Sequence, residues 1–323
     1  MQRLKVFVPE AEEPESLNVL REIAEVKVGE TGRPYSNEDL AREIADADVV
    51  IITSQYRITK DLIEKAPKLR GIVKYGSKPG IDNVDMSAAN ARKILVSYTP
   101  GANSDSVAEF TVALALALAK RLHNVMRLMK RHEWRNASCH GVELIEKTVG
   151  VVGLGVIGSK VAMRLNCLGM RVLATDPYVS AEKADLVHAK LTDLNTLLRQ
   201  SDLITLHAQV TQENTHMIGR SEFELMKPTA YFLNTARGAL VDERALYEAL
   251  RDGKIAGAAI DVFETEPPIG SPFLSLDNVI LTPHVASWTV DALRKEALMA
   301  VEETRRILTG IRPMNLANPE LLD

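Results

Sequence analysis

The chain has 323 residues, which at ~150 residues per domain is enough for two domains that each bury a core. Hydrophobic residues make up 46% and charged residues 25%, values that exclude a disordered or fibrous chain. With 39 basic against 43 acidic residues, a net charge of −4 and 5% aromatics, the sequence has neither the basic stripe nor the stacking platform of a nucleic-acid binder.

Two cysteines, Cys139 and Cys167, stand without a CxxC or a histidine pair at ligand spacing, so neither a disulfide framework nor a metal site is expected. The opening MQRLKVFVPE lacks the apolar stretch of a signal peptide. The longest uncharged apolar run, 110–119, has ten residues against ~20 for a membrane span. The expectation is a soluble, cytoplasmic protein with neither membrane nor nucleic-acid partner.

From Leu4 onward short β-branched runs alternate with helical segments. Strands are expected at 4–8, 25–28, 48–53, 69–75 and 94–98, with helices at about 14–24, 37–45, 59–66 and 85–92. Such alternation implies a parallel sheet covered by helices, because parallel neighbours need a crossover connection. Thr99-Pro100-Gly101 reads as a hinge. A long helical pattern follows from about Asn103 to Glu133, with a capping-box signature in Ser106 and Glu109. Strands then recur at 148–153, 171–176, 202–207, 230–236, 257–263 and 278–283, and a last helix at about 288–309 carries Leu293, Ala297, Met299, Ala300, Val301, Ile307 and Leu308. The expected fold class is α/β: two doubly wound, Rossmann-like parallel-sheet domains with a cleft between them. Residues 102–289 would form one domain, inserted into a discontinuous flavodoxin-like domain built from 1–101 and 290–323.

The segment VVGLGVIG (151–158) places Gly153, Gly155 and Gly158 in a GxGxxG between a strand and a helix. In a dinucleotide fold these glycines serve a tight turn, close approach to the pyrophosphate, and helix-on-strand packing. The helix N-terminus offers free N–H groups to the phosphates. By itself the motif also reads as an ordinary glycine turn. Asp176, 18 residues beyond Gly158 at the end of the next strand, supplies the second half of the fingerprint, a carboxylate for the ribose hydroxyls that repels a 2′-phosphate. NAD is therefore the expected cofactor.

Catalytic candidates stand at later strand ends: Arg237 in NTARGALVDERAL, Glu266 in AIDVFETEP and His284 in LTPHVAS. An arginine fork can hold a carboxylate and polarise an adjacent carbonyl. A histidine paired with a carboxylate has a fixed tautomer and can act as general acid or base. Taken singly, Arg237 also reads as a surface arginine in a strand-to-helix turn, and the other two have equally plain alternatives.

The succession GLGVIG, Asp176, NTARG, DVFETEP and TPHVAS, joined by GIDNVDMSAA (80–89), TPGANSDSVAEFTVAL (99–114) and Trp134, resembles the D-isomer specific 2-hydroxyacid dehydrogenase family, in which phosphoglycerate dehydrogenases and glyoxylate/hydroxypyruvate reductases fall. The resemblance implies that Arg237 binds the substrate carboxylate and C2 oxygen, that His284 is the acid/base, and that Glu266 pairs with it. It implies that Gly153, Gly155, Val156, Ile157 and Gly158 meet the pyrophosphate, that Asp176 meets the ribose and Asp261 the carboxamide, and that Ala208, Thr235, Ala236 and Ser287 also contact cofactor. Substrate contacts would come from Tyr75, Gly76, Ser77 and Lys78 besides Arg237. The family also implies a homodimer formed through the nucleotide-binding domain and its first helix, here near 106–119.

Three departures bear on specificity. The loop KYGSKPGIDNVD (74–85) is longer than the family's by about one residue and carries Lys74, Tyr75 and Lys78. Lys78 would suit a second anionic group, as in 3-phosphoglycerate or another dianionic hydroxy acid, although a solvated surface lysine reads the same way. Gln209 stands where the family has proline, and the end at Asp323 leaves no room for a regulatory domain. The presence of Glu266 argues against formate oxidation. An alternative of another class is an NAD(H)-responsive binding protein on the same fold, like the family's transcriptional corepressors.

Overall fold

The computed structural model describes residues 3–11, 13–30, 35–53, 55–76 and 83–322. It falls into two compact units, Met1–Asn103 with Trp288–Asp323, and Ser104–Ser287.

In the first unit, strands β1 (Leu4–Val8), β2 (Ala24–Val28), β3 (Val49–Ile52), β4 (Gly71–Lys74) and β5 (Leu95–Tyr98) form a parallel sheet in the order β2-β1-β3-β4-β5. Strand β3 is VVII with every residue buried, the unbroken apolar run expected where helices cover both faces. The helices begin at capping side chains: Ser36 accepts from Asp39 N–H before α2 (Asn37–Ile44), Thr59 from Leu62 N–H before α3 (Lys60–Glu64), and Asp85 from Ala88 N–H before α4 (Met86–Ala91). The C-terminal helix α12 (Val290–Thr309) buries Ala297, Ala300, Val301, Ile307 and Leu308 in one apolar cluster with Val6, Val8, Val49 and Val73. A chain crossing of almost two hundred residues is thereby closed by packing. Glu303 of α12 is fully buried, but its carboxylate accepts hydrogen bonds from Ser97 Oγ at 2.8 Å and Asn315 Nδ2 at 2.8 Å, which offsets its desolvation.

The stretch expected to be helical over 14–24 is a 3-10 turn (Pro14–Leu17) and one short helix, α1 (Asn18–Arg21), because the chain must already be extended at Ala24 to pair with Leu4.

The second unit holds a seven-stranded parallel sheet in the order β12-β11-β10-β9-β6-β7-β8, built from β6 (Thr148–Val152), β7 (Arg171–Thr175), β8 (Ala189–Leu191), β9 (Leu203–Leu206), β10 (Tyr231–Asn234), β11 (Gly257–Ile260) and β12 (Val279–Leu281). The order reverses between β6 and β9, and ligands in open sheets of this kind bind beyond the strand C-termini at such a point. Strand β8 escapes the sequence pattern because it has only three residues and its central one, Lys190, is exposed.

The helix expected over 103–133 is two helices, α5 (Ser104–Ala119) and α6 (Leu122–Lys130). Arg121 between them is left-handed, with φ 49°. The carbonyl of Ala119, which a continuous helix would pair with His123 N–H, instead accepts from Val142 N–H at 2.7 Å. Ser106 lies buried inside α5 rather than at its cap, so the Ser106/Glu109 box does not start the helix.

Candidate active site

Because all seven strands run parallel, the residues singled out after β6, β7, β9, β10, β11 and β12 come to one edge of the second unit's sheet. The glycine turn after β6 is tight. Gly153 has φ +89°, and a side chain there would run into the backbone of His207 and Ala208 after β9. A Cβ on Gly158 would collide with the Gly153 carbonyl, whereas one on Gly155 would meet nothing within 4 Å. The turn is thus closed on two sides and open at Gly155, which caps α7 (Val156–Cys167). Val156 is exposed and Ile157 half-buried. Asp176 after β7 is tied to this turn, its Oδ2 accepting from Leu154 N–H at 2.8 Å and its Oδ1 from Tyr178 N–H at 2.9 Å. These residues fit a dinucleotide: an open cradle at a helix N-terminus, with a carboxylate held beside it.

Beyond β10, Asn234 braces the loop from both ends, its Oδ1 accepting from Ala236 N–H at 3.0 Å and its Nδ2 donating to the Arg237 carbonyl at 2.9 Å. Thr235 is buried and its hydroxyl lies 2.8 Å from that of Thr111 on α5. The Arg237 guanidinium donates to the Ala236 carbonyl at 2.6 Å. Gly238 packs so closely on Phe263 and Glu264 that any Cβ would strike their backbone.

His284 Nδ1 and Glu266 Oε2 are 2.7 Å apart, and Glu266 Oε1 accepts from Phe263 N–H at 3.0 Å. Burial pushes the Glu266 carboxyl up, but the hydrogen bonds from His284 and Phe263 and the nearby charges of His284 and Arg237 outweigh it and leave the group below the ordinary carboxylate range. His284 is itself held from behind by Asp261. That residue is fully buried, and its carboxylate accepts from Thr282 Oγ1, from Val285 N–H at 3.0 Å and from Ala286 N–H at 2.9 Å, while its carbonyl accepts from His284 N–H at 2.9 Å. Ser287 follows, half-buried. His207, just before Ala208, has its imidazole 3.0 Å from Thr205 Oγ1, and desolvation pulls its pKa down to about 3, so the ring is neutral.

The structure therefore brings Gly153, Gly155, Gly158, Asp176, Ala208, Thr235, Ala236, Arg237, Asp261, Glu266, His284 and Ser287 to one sheet edge. In the first unit, Tyr75 and Gly76 follow β4, where Gly76 N–H donates to Thr99 Oγ1 at 2.7 Å. Tyr75 is 5% exposed and its ring belongs to the apolar cluster of Val6, Val8 and Val73 rather than standing open as a binding side chain. Ser77 and Lys78 lie outside the described residues. Among the described residues no three His, Cys, Asp or Glu side chains could hold a metal together, and no helix is long and apolar enough to cross a membrane. Sequence reasoning missed the supporting residues Thr111, Asn234 and Thr282. The polar side chains at strand ends were the available signal, but only the fold shows what they hold.

Fold and site define a dinucleotide-binding protein of the Rossmann class that carries a carboxylate–imidazole pair beside its glycine turn. Residues 112–286 match the model of the D-isomer specific 2-hydroxyacid dehydrogenase NAD binding domain. The chain belongs to the D-isomer specific 2-hydroxyacid dehydrogenase family, and NAD is its cofactor. It is 42% identical to a D-3-phosphoglycerate dehydrogenase of Methanocaldococcus jannaschii over 98% of its own length, and spans 59% of that protein's length. It is 38% identical to a glyoxylate reductase of Thermofilum pendens, covering 100% of this chain and 96% of the relative. Among solved structures, the D-lactate dehydrogenase of Aquifex aeolicus complexed with NAD and lactic acid matches with a TM-score of 0.83 at 30% identity, covering 95% of this chain and 96% of that one.

Proposed function

We propose that this chain is an NAD-dependent oxidoreductase acting between a D-2-hydroxy acid and its 2-oxo acid. The observation that carries this reading is the 2.7 Å Glu266–His284 pair on the sheet edge that also carries the glycine turn and Arg237. NAD, held at the glycine turn, would supply the hydride chemistry at C2 in either direction. The chain's own residues do the rest. The Arg237 guanidinium binds the substrate carboxylate and polarises the C2 oxygen. Glu266 accepts from His284 Nδ1–H, leaving Nε2 to deliver a proton to that oxygen or to remove one from the hydroxyl.

For the cofactor, the backbone of Gly153, Gly155, Val156, Ile157 and Gly158 would hold the pyrophosphate and Asp176 the ribose. Ala208, Thr235, Ala236 and Ser287 would line the nicotinamide side, and Asp261 would meet the carboxamide. Residues 1–101 with 290–323 would be the substrate-binding domain, contributing Tyr75, Gly76, Ser77 and Lys78, with Tyr75 acting through its backbone.

Two finer features belong to the same reading. The chain is a homodimer through the region of α5 and α6, where Leu122, Met126 and Met129 lie exposed at helical spacing and Trp134 is 75% exposed. It is cytoplasmic, in keeping with two free cysteines.

The test is NADH oxidation with glyoxylate, hydroxypyruvate, pyruvate and phosphohydroxypyruvate, run beside a direct cofactor-binding titration. Turnover of one or more oxo acids is expected, and preference for phosphohydroxypyruvate would point to a dianionic substrate. Tight NADH binding without turnover of any of them would favour an NAD(H)-responsive binding protein.

A further inference from the structure

Behind the Glu266–His284 pair lies a second polar cluster that the proposed reaction does not use. Glu264, two residues before Glu266, exchanges hydrogen bonds with Glu243 at the start of α11 (Glu243–Arg251): Glu264 N–H donates to Glu243 Oε1 at 2.7 Å, and Glu243 N–H donates to Glu264 Oε1 at 3.2 Å. The same Glu264 Oε1 lies 3.1 Å from His216 Nε2. His216 is in turn anchored to the loop after Arg237, its N–H donating to the Ala239 carbonyl at 2.8 Å.

Three chain segments that are distant in sequence thus converge on one carboxylate. They are the segment around His216, the loop from Arg237 to Glu243, and the loop 263–266 that ends in Glu266. Gly238 lets two of them touch through bare backbone, since any side chain there would strike Phe263 and Glu264. The arrangement is costly by itself. Burial pushes the Glu243 carboxyl up, the negative charges of Glu264 and Glu266 push the same way, and the hydrogen bond from Glu264 N–H and the His216 ring act against them. Like charges gathered beside an acid/base pair need compensation, and here it comes from groups whose bonds all tie the Glu266 loop to the Arg237 loop.

We propose that Glu264 is a positioning residue. With His216 and Glu243 it sets the loop 263–266 so that Glu266 faces His284. Glu264 touches neither substrate nor cofactor in this role; it acts through Glu266. The charges of Glu264, Glu266 and His216 act on Glu243, and those of His284 and Arg237 act on Glu266. The inference rests on the dehydrogenase reading for its kinetic consequence and on the structure alone for its effect on His284.

The experiment compares the full-length Glu264→Gln and Glu264→Ala variants with the unaltered chain. The first readout is independent of activity: the pH titration of the His284 Cε1–H resonance in 13C-histidine-labelled protein, assigned by its loss in His284→Gln. The midpoint is expected to move in Glu264→Gln, as Glu266 is held less squarely against the imidazole. The second readout is kinetic, with kcat for the oxo acid falling ~10-fold in Glu264→Gln while KM and the NADH Kd change less than about twofold, because only the proton-transfer geometry is disturbed. An unchanged His284 midpoint in Glu264→Gln overturns the proposal, as does a loss of NADH affinity parallel to the loss of kcat, which marks a merely structural residue. Should the unaltered chain turn over no oxo acid, the dehydrogenase reading fails while the resonance still decides the role of Glu264. Glu264→Gln keeps the side chain's size and its acceptor for Glu243 N–H, so the test stands if Glu264→Ala does not fold.

Discussion

Glu266 Oε2 and His284 Nδ1 lie 2.7 Å apart, although 18 residues separate them in the chain, and the loops that carry them leave adjacent parallel strands. The glutamate is held by Phe263 N–H and the histidine by the buried carboxylate network of Asp261. These bonds fix the backbone that presents each side chain to the other, and such positioning is what general acid–base chemistry requires of a pair.

Replacing His284 with Ala should lower kcat by ~10²–10⁴, the usual worth of a positioned acid/base, with the NADH Kd within about twofold of the parent. Stopped-flow turnover and a fluorescence titration of NADH measure the two quantities. Retention of full turnover would remove His284 from the mechanism.

The glycines make opposite predictions. In Gly158→Ala the new methyl must displace the Gly153 carbonyl, so the glycine turn distorts, stability falls by ~1–3 kcal/mol and cofactor binding is lost. In Gly155→Ala the methyl meets open space and φ is −72°, so the denaturation midpoint is unchanged while the cradle for the phosphates is partly filled and NADH binds ~10-fold more weakly. Equal stability loss in both variants would contradict the geometry of the turn.

Asp176→Asn retains an acceptor for the Leu154 or Tyr178 N–H but removes the charge. The preference for NADH over NADPH should narrow by ~10-fold, since repulsion of a 2′-phosphate is lost, with little change in thermal stability. Dissociation constants for both cofactors decide it, and an unaltered ratio would show that Asp176 does not set the choice.

His207 makes folding sensitive to acid. Its folded pKa is pulled down to about 3 from an ordinary 6.5, so between those values the unfolded chain binds a proton that the folded chain refuses. Stability therefore falls as pH drops below 6.5, by at most ~1.4 kcal/mol per pH unit from this group. Urea unfolding at pH 7.5 and 5.0 should show a smaller difference for His207→Asn than for the parent chain. The same difference in both would assign the acid sensitivity to other groups.

Much of the molecule was legible in residue order. Unbroken apolar runs such as VVII in β3 and TVGVV in β6 declare strands buried on both faces, and the glycine spacing with Asp176 declares a nucleotide turn, because local sterics alone dictate both. Arg237, Glu266 and His284 were also visible, as polar residues following strands. The break between α5 and α6 was not, since it depends on Val142 taking the Ala119 carbonyl from a distance of 23 residues. Nor could the sequence show that Tyr75 turns into the core while Gly76 bonds Thr99, or that Asp261 is committed to holding the His284 loop.

What the sequence determined by itself was the inventory: α/β elements, a dinucleotide fingerprint and three residues able to bind an anion and move a proton. The tertiary structure alone decided their arrangement. Parallel pairing collects the strand ends at one edge, the bare backbone of Gly238 lets the Arg237 and Glu266 loops meet, and Glu264 joins Glu243 and His216 across three segments. Hydrogen bonds between distant segments carry no local signature, so their partners become known only when the sheet has brought them together.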